Sequence, residues 1–297
     1  MPNSRVKKIN GFFAFFDILG FQAVINNNNL EYLESKIVKL LEIIDDKAIT
    51  INGQDVGQHL SLRKTGSLVF SDTIILYEEA LQKEDGTIRS IGPSIFDKSA
   101  ILLRLAFEEG IPIRGAISFG DYLVSDRYFL GKPIIEAYSL EKRSKWSGAL
   151  FCDSTIEIMK KQDFRPKFFR GIEVPSLNPF PKELIIKFPS DSSLFTNPSS
   201  LIKEETSSVK TRFALRWDDL VKERYLLKDI PNLSLDSREK IEKRVEEMFY
   251  SHNKKPTEIE EMAAVQVKVQ NTVDFIFGCL DIPINRTMVY CPDKKCV

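Results

Sequence analysis

The first strongly apolar run, Phe12-Phe13-Ala14-Phe15-Phe16, carries an acid at its end, Asp17, and a glycine three residues further on, Gly20. Such a run predicts a buried strand, so Asp17 falls where an unpaired carboxylate is costly. Leu30, Leu33, Ile37, Leu40, Leu41 and Ile44 then recur at helical spacing behind the polar stretch Asn26 to Asn29, which can cap a helix start. Residues 48–64 are polar and broken by Gly53 and Gly57, the pattern of a loop. Between Ser67 and Tyr77, two short apolar runs meet at Ser71-Asp72 and predict a tight hairpin. After a loop-like stretch to Pro93, Phe96, Ala100, Leu103 and Phe107 mark a helix ending at Gly110 and Pro112, with Ile101, Leu102 and Leu105 forming a second apolar flank.

Ile111 to Gly120 predicts a strand that closes in a glycine turn, and residues 121–130 a hairpin or ordered loop. A helix over 132–145 would hold Ile134, Ile135, Ala137, Tyr138 and Leu140 inside. Gly148 to Cys152 reads as a strand and Thr155 to Met159 as a helix. This repeated β-α-β with a central hairpin is the ferredoxin-like pattern, an α+β fold with helices on one face of an antiparallel-rich sheet. Beyond Asp163 come Pro, Phe and Ser clusters, a strand candidate at Leu184 to Phe188, and a serine-rich loop. Two later stripes, Ile241, Val245 and Phe249, then Ile259, Met262, Val269, Val273 and Ile276, predict helices. The expected division is a core over 1–190, a loop over 191–207 and a helical extension over 208–297 packed on the core.

Composition narrows the chemistry. The 297 residues are 43% hydrophobic, enough for a substantial core, and Lys plus Arg equals Asp plus Glu at 42 each. No global basic field favours nucleic acid, so a polyanionic substrate must be met locally. No apolar run is long enough to span a bilayer, and the N-terminus lacks the pattern of a cleavable signal, so a cytoplasmic protein with reduced thiols is expected. Cys152, Cys279, Cys291 and Cys296 are scattered apart from the last pair. With only His59 and His252, neither in a motif, hydrolases that need an imidazole base beside a Ser or Cys nucleophile are disfavoured.

Two acids at sheet edges, Asp17 and Asp72, a glycine after the first and Arg114 leading a strand fit a two-metal phosphoryl-transfer site. Mg²⁺ or Mn²⁺ prefers carboxylate oxygens, and the backbone of Leu19, Gly20 and Phe21 would approach a phosphate at a helix start. Each residue also has a plainer reading: Asp17 as a helix N-cap, Asp72 as a turn residue, Arg114 as a solvated strand-end charge.

Taken in order and spacing, Phe16-Asp17-Ile18-Leu19-Gly20-Phe21, Phe70-Ser71-Asp72-Thr73 and Arg114-Gly115-Ala116-Ile117-Ser118-Phe119-Gly120 resemble the motifs of the class III nucleotidyl cyclases over about the first 160 residues. Within that family, the run from Gly131 to Glu141 and the helical stretch from Lys268 to Phe275 are similar to the bacterial pyrimidine cyclases of the Pycsar antiphage systems. The resemblance implies that Asp17, Asp72 and the Ile18 backbone oxygen bind two divalent cations, Mg²⁺ or Mn²⁺, and that Arg114 grips the triphosphate. It also implies a homodimer with sites at the interface, UTP or CTP as substrate, and a cyclic product read by a separate effector. The family's asparagine and arginine on the helix before Leu140 are replaced by Ile135 and Ser139, leaving Arg114, Lys132, Lys142 and Arg143 as candidates to meet transition-state charge. Leu68 occupies the position of the purine-selecting lysine of adenylyl cyclases and falls in the expected base site.

Overall fold

The computed structural model describes residues 6–38, 40, 50–51, 54–55, 66–82, 88–89, 95–125, 127–161, 167–169, 172–174, 185–188, 212–215, 217, 230–250 and 259–280. Among them, eight strands form one sheet: β1 (Lys7–Ile18), β2 (Gly66–Phe70), β3 (Thr73–Glu79), β4 (Ile113–Val124), β5 (Phe129–Gly131), β6 (Gly148–Phe151), β7 (Ile185–Phe188) and β8 (Arg212–Leu215). The order is β7-β8-β6-β4-β1-β3-β2, with β5 paired to the far end of β4. Its inner quartet, β4-β1-β3-β2, is antiparallel throughout and has the ferredoxin-like order expected from the alternation of strands and helices.

The Phe-rich β1 sits at the centre because both its edges are paired and both its faces covered. Phe12 meets Phe96 of α3 (Ile95–Glu108) edge to face, with centroids 5.0 Å apart. On the other face, Phe13 meets Tyr122 at 5.7 Å, and Phe15 meets Tyr138 of α4 (Lys132–Arg143) at 5.5 Å. Each such pair adds about 0.5–1.5 kcal/mol beyond area burial. Helix α3 thus covers one face, while α4 crosses the face that carries Asp17, so the helices flank the sheet on both faces and not on one as the pattern predicts. Ser118 Oγ ties α4 to that face through the carbonyls of Pro133 (2.7 Å) and Phe13 (3.2 Å).

Several expectations are corrected. Strand β4 does not close at Gly120 but runs on to Val124. A side chain at Gly120 would press on Pro133 Cγ at 3.0 Å, so the glycine admits the first turn of α4 rather than reversing the chain. Helix α4 buries Pro133, Ala137, Leu140 and Glu141, leaving Ile135 68% exposed and Tyr138 half-exposed rather than inside. Residues 212–215, expected to open the helical extension, instead form β8, which extends the sheet beside β6. The helix expected from Leu30 starts there, as α2 (Leu30–Leu33), capped by the Asn29 side chain, which accepts from the Tyr32 amide at 2.9 Å, and it runs on as a wider turn to Val38; a separate short helix, α1 (Phe21–Asn27), precedes it, and Leu41 and Ile44 lie outside the described residues. The remaining helices are α5 (Asp153–Lys161), α6 (Arg238–Tyr250) and α7 (Ile259–Leu280). His59, His252, Cys291 and Cys296 also lie outside the described residues, and Cys152 is a buried free thiol.

Candidate active site

The register of three strands assembles the site. Asp17, the penultimate residue of β1, stands opposite Thr73 at the start of β3 and Arg114 at the start of β4. Asp72 immediately precedes Thr73 in the hairpin turn, where Ser71 takes the left-handed conformation (φ 57°). The turn is fastened to β1 by the Ile18 amide, which donates to the Asp72 carbonyl at 2.9 Å. Two acids 55 positions apart in the chain are thereby delivered to one end of the sheet. Gly115 beside Arg114 is required for this packing, since a Cβ there would lie 2.3 Å from the Phe16 ring.

Asp17 is not a helix cap. Gly20 holds the N-cap position of α1 in the left-handed conformation (φ 74°), which favours glycine, and the Leu19 amide donates to the Pro112 carbonyl at 2.8 Å. Of the three backbone groups expected to approach a phosphate, that of Leu19 is therefore already spent. Asp17 itself is 9% exposed, and its carboxylate accepts from Arg114 Nη2 at 3.3 Å.

Arg114 is turned inward. Its Nε donates to Glu141, its Nη1 to the Ser144 carbonyl at 3.1 Å, and its Nη2 to Asp17. Glu141 is fully buried, and its second oxygen, Oε2, has no hydrogen-bond partner. Two carboxylates thus share one guanidinium. Burial pushes the Asp17 carboxyl above the usual carboxylate range, with Lys142 and Arg114 opposing and the Asp72 charge adding to the rise. Burial likewise raises Glu141, against the pull of Arg114 and with a further push from Asp17. The site carries more negative charge than its direct partners neutralise.

That excess fits a hard divalent cation. Mg²⁺ is commonly held by one or two carboxylates together with substrate phosphates and water, and Asp17 and Asp72 supply such a pair. Among the described residues no group of three or more His, Cys, Asp or Glu side chains converges, so a protein-only cage of that size is not built there.

The other candidates are spread out. Lys142 is near enough to Asp17 to lower its pKa and lies over the Tyr138 ring at 5.4 Å. Lys132 starts α4, nine residues before Glu141 and so roughly 14 Å along the axis from it. Arg143 lies on the exposed side of α4, and Leu68 is partly exposed on the edge strand β2. Sequence reasoning missed Glu141, which looked like one more charge beside Lys142 and Arg143. Its signal was the spacing from Pro133 and Ala137, eight and four residues earlier, which puts it on their buried stripe.

No known family profile and no curated protein matches the sequence. Nucleotide cyclases are among the solved structures with a similar chain path. A rhodopsin-guanylyl cyclase catalytic core with converted specificity, solved with ATPαS, is 14% identical over 72% of this chain and 98% of its own, with a TM-score of 0.37. The adenylyl cyclase CyaB from P. aeruginosa is 12% identical over 71% of this chain and 95% of its own, at 0.36. The guanylate cyclase domain of RhGC from Catenaria anguillulae, solved with GTP, is 15% identical over 52% and 84%, at 0.34. Superpositions this loose carry no functional assignment; the strand order and the geometry at Asp17 stand on their own. No helix among the described residues is long and apolar enough to cross a membrane.

Proposed function

We propose that the protein is a nucleotidyl cyclase that converts a pyrimidine nucleoside triphosphate, UTP or CTP, to its 3′,5′-cyclic monophosphate and pyrophosphate. The observation that carries this reading is the convergence of Asp17, Asp72 and Arg114 at one end of β1, β3 and β4, with Asp17 held above its ordinary pKa by burial and by a second acid. Asp17, Asp72 and the Ile18 carbonyl would hold divalent cations, Mg²⁺ or Mn²⁺, which when bound supply charge neutralisation and acidify the 3′-hydroxyl. The residues of the chain do the rest. Arg114, positioned by Glu141 and the Ser144 carbonyl, offers its guanidinium to the phosphate chain, and Lys142 adds positive charge on the same side. As the 3′-hydroxyl gives its proton to water and its oxygen bonds to the α-phosphorus, the bond from that phosphorus to the oxygen bridging to the β-phosphate breaks and pyrophosphate leaves with that oxygen.

The base end favours a pyrimidine because Leu68 offers no donor to a purine ring nitrogen. Exposed apolar side chains, Phe70 at 77% and Ile135 at 68%, support a homodimer that covers them and completes the site. The product would serve as a second messenger in antiphage defence, read by a separate effector. Ile135 and Ser139 favour one other reading, a cyclase fold that binds nucleotide without turnover, because both are exposed on α4 where the family carries catalytic side chains.

The test is incubation with each of the four ribonucleoside triphosphates and Mn²⁺, with cyclic product and pyrophosphate measured. Cyclisation of UTP or CTP above ATP and GTP is expected. Preferential turnover of a purine overturns the base assignment, and tight binding with no turnover of any triphosphate establishes the binding reading.

A further inference from the structure

The C-terminal helix α7 lies against the same end of the sheet as Asp17. Asn271 Nδ2 donates to the Lys145 carbonyl at 2.8 Å, and the Ser147 amide donates to Thr272 Oγ1 at 2.9 Å. Trp146 packs on Phe275 with ring centroids 4.4 Å apart. These contacts seize the connection 144–147 between α4 and β6. Arg114 grips the same connection through the Ser144 carbonyl, and Ser147 Oγ donates to the Ile113 carbonyl at 3.0 Å. One four-residue link is thus held by Arg114 on one side and by α7 on the other.

Lys268 stands one helical turn before Thr272, whose hydroxyl donates to the Lys268 carbonyl at 2.7 Å. The spacing of Lys268, Asn271, Thr272 and Phe275 puts all four on one face of α7, the face turned to the link. Lys268 is half-buried, and its ammonium makes no ion pair among the described residues. Burial lowers its pKa, Arg114 and Lys145 lower it further, and Asp17 pulls the other way. An ammonium placed within the fields of two other cations, with no direct carboxylate partner, is poorly placed as a structural ion pair. It is well placed to receive an anion that Arg114 also receives.

We propose that Lys268 contacts the phosphate chain of the bound triphosphate, so that α7 supplies part of the phosphate subsite from the same chain that supplies Asp17 and Asp72. The inference rests on the reading of that end as a nucleoside triphosphate site. Its chemistry is electrostatic: the ammonium donates to non-bridging oxygens of the two outer phosphates, and no covalent step involves it. The helical extension thereby has a task at the site, and the Asn271 and Thr272 contacts are what set the reach of Lys268.

Pyrophosphate with Mn²⁺, titrated calorimetrically into the full chain, is the probe. Lys268→Met should weaken binding about ten- to hundredfold. Lys268→Arg, which keeps the charge, should stay within about fivefold of the parent. Lys243→Met, on the exposed side of α6, should leave binding unchanged. Without ligand, Lys268→Met should melt at or above the parent temperature, since it removes a charge that burial disfavours. Binding by Lys268→Met within twofold of the parent, while Asp17→Asn loses it, overturns the role of Lys268 and leaves the cyclase reading standing. Failure of the parent to bind pyrophosphate with Mn²⁺ overturns both.

Discussion

Two charged clusters lie inside this molecule, and they are built on opposite plans. Below α3, Arg104 and Arg244 meet Glu108 at 2.9 and 2.7 Å, Arg244 reaches Asp236 at 3.3 Å, and Arg104 also donates to the Pro231 carbonyl at 2.5 Å. Cations and acids are matched there. A hydrogen bond from Lys240 leads the causes that hold the Asp236 carboxyl below its usual range. At the sheet end, two acids share Arg114, and burial holds both acids above their usual range. A matched cluster can be explained by the tertiary contacts it makes, here α6 fastened to α3. A mismatched one raises the energy of the metal-free fold, and a bound cation would relieve it.

The sharpest way to break this contrast is Asp17→Asn. It should cut formation of cyclic product by about a thousandfold or more, comparable to removing a principal transition-state group, while the metal-free protein melts at or above the parent temperature. A melting temperature that falls steeply with turnover intact would make Asp17 a structural acid like Glu108. Next in size is a pair of substitutions, one in each cluster. Glu141→Leu strips Arg114 of a buried partner and should cost about 3 kcal/mol in chemical denaturation, with turnover lowered because the guanidinium is no longer oriented. Arg244→Leu should cost about 2 kcal/mol through its lost acid contacts and its stacking on Phe107, with turnover of the folded protein unchanged.

The clusters should also respond to pH with opposite signs. Asp17 and Glu141 keep their protons to higher pH in the fold than in the unfolded chain, so protonation stabilises the fold. Their contribution is complete below the ordinary carboxylate range near pH 4 and is lost as pH rises through the raised values, at about 1.4 kcal/mol per unit of difference. Asp236 contributes above the ordinary range, and its contribution is lost as pH falls through its lowered value. Denaturation of the metal-free protein from pH 4 upward should therefore show a falling component that Asp17→Asn and Glu141→Leu each reduce and Arg244→Leu leaves in place. Mn²⁺ should flatten it by favouring the ionised Asp17. A slope unaltered by either site substitution would rule out these acids as its source.

Local pattern made much of the core readable. The apolar run before Asp17, the Ser71-Asp72 turn and the Arg114 strand are set by neighbours in sequence, and the alternation of elements gave the β4-β1-β3-β2 order. What could not be read depended on contacts across long separations. Glu141 is buried because Arg114, 27 residues away, requires it. Ile135 and Tyr138 looked interior because they are apolar at helical spacing, yet α4 is rotated to bury Pro133, Ala137, Leu140 and Glu141. Arg212–Leu215 gave no strand signal strong enough to outweigh the helical stretch after it; pairing with β6 and β7 makes it one. Lys268 sits 151 residues beyond Ile117 in the middle of β4, and the contacts of Asn271, Thr272 and Phe275 bring its helix to the site.

The smallest expected effect separates the two ends of α4. Lys142 acts on Asp17 through its charge, while Lys132 stands roughly 14 Å away along the helix and enters the site of its own chain only weakly. Lys142→Met should reduce turnover severalfold, about one kcal/mol of transition-state stabilisation. Lys132→Met should change it by less than about twofold, as an exposed substitution away from the chemistry does. Steady-state rates at saturating and limiting triphosphate decide between a local and a shared site. If Lys132→Met proves the more damaging, its charge is acting on the partner's triphosphate across a dimer interface. Mixing Lys132→Met with Asp17→Asn subunits would then recover activity that neither has alone, because one of the two sites in each mixed dimer would inherit both intact side chains.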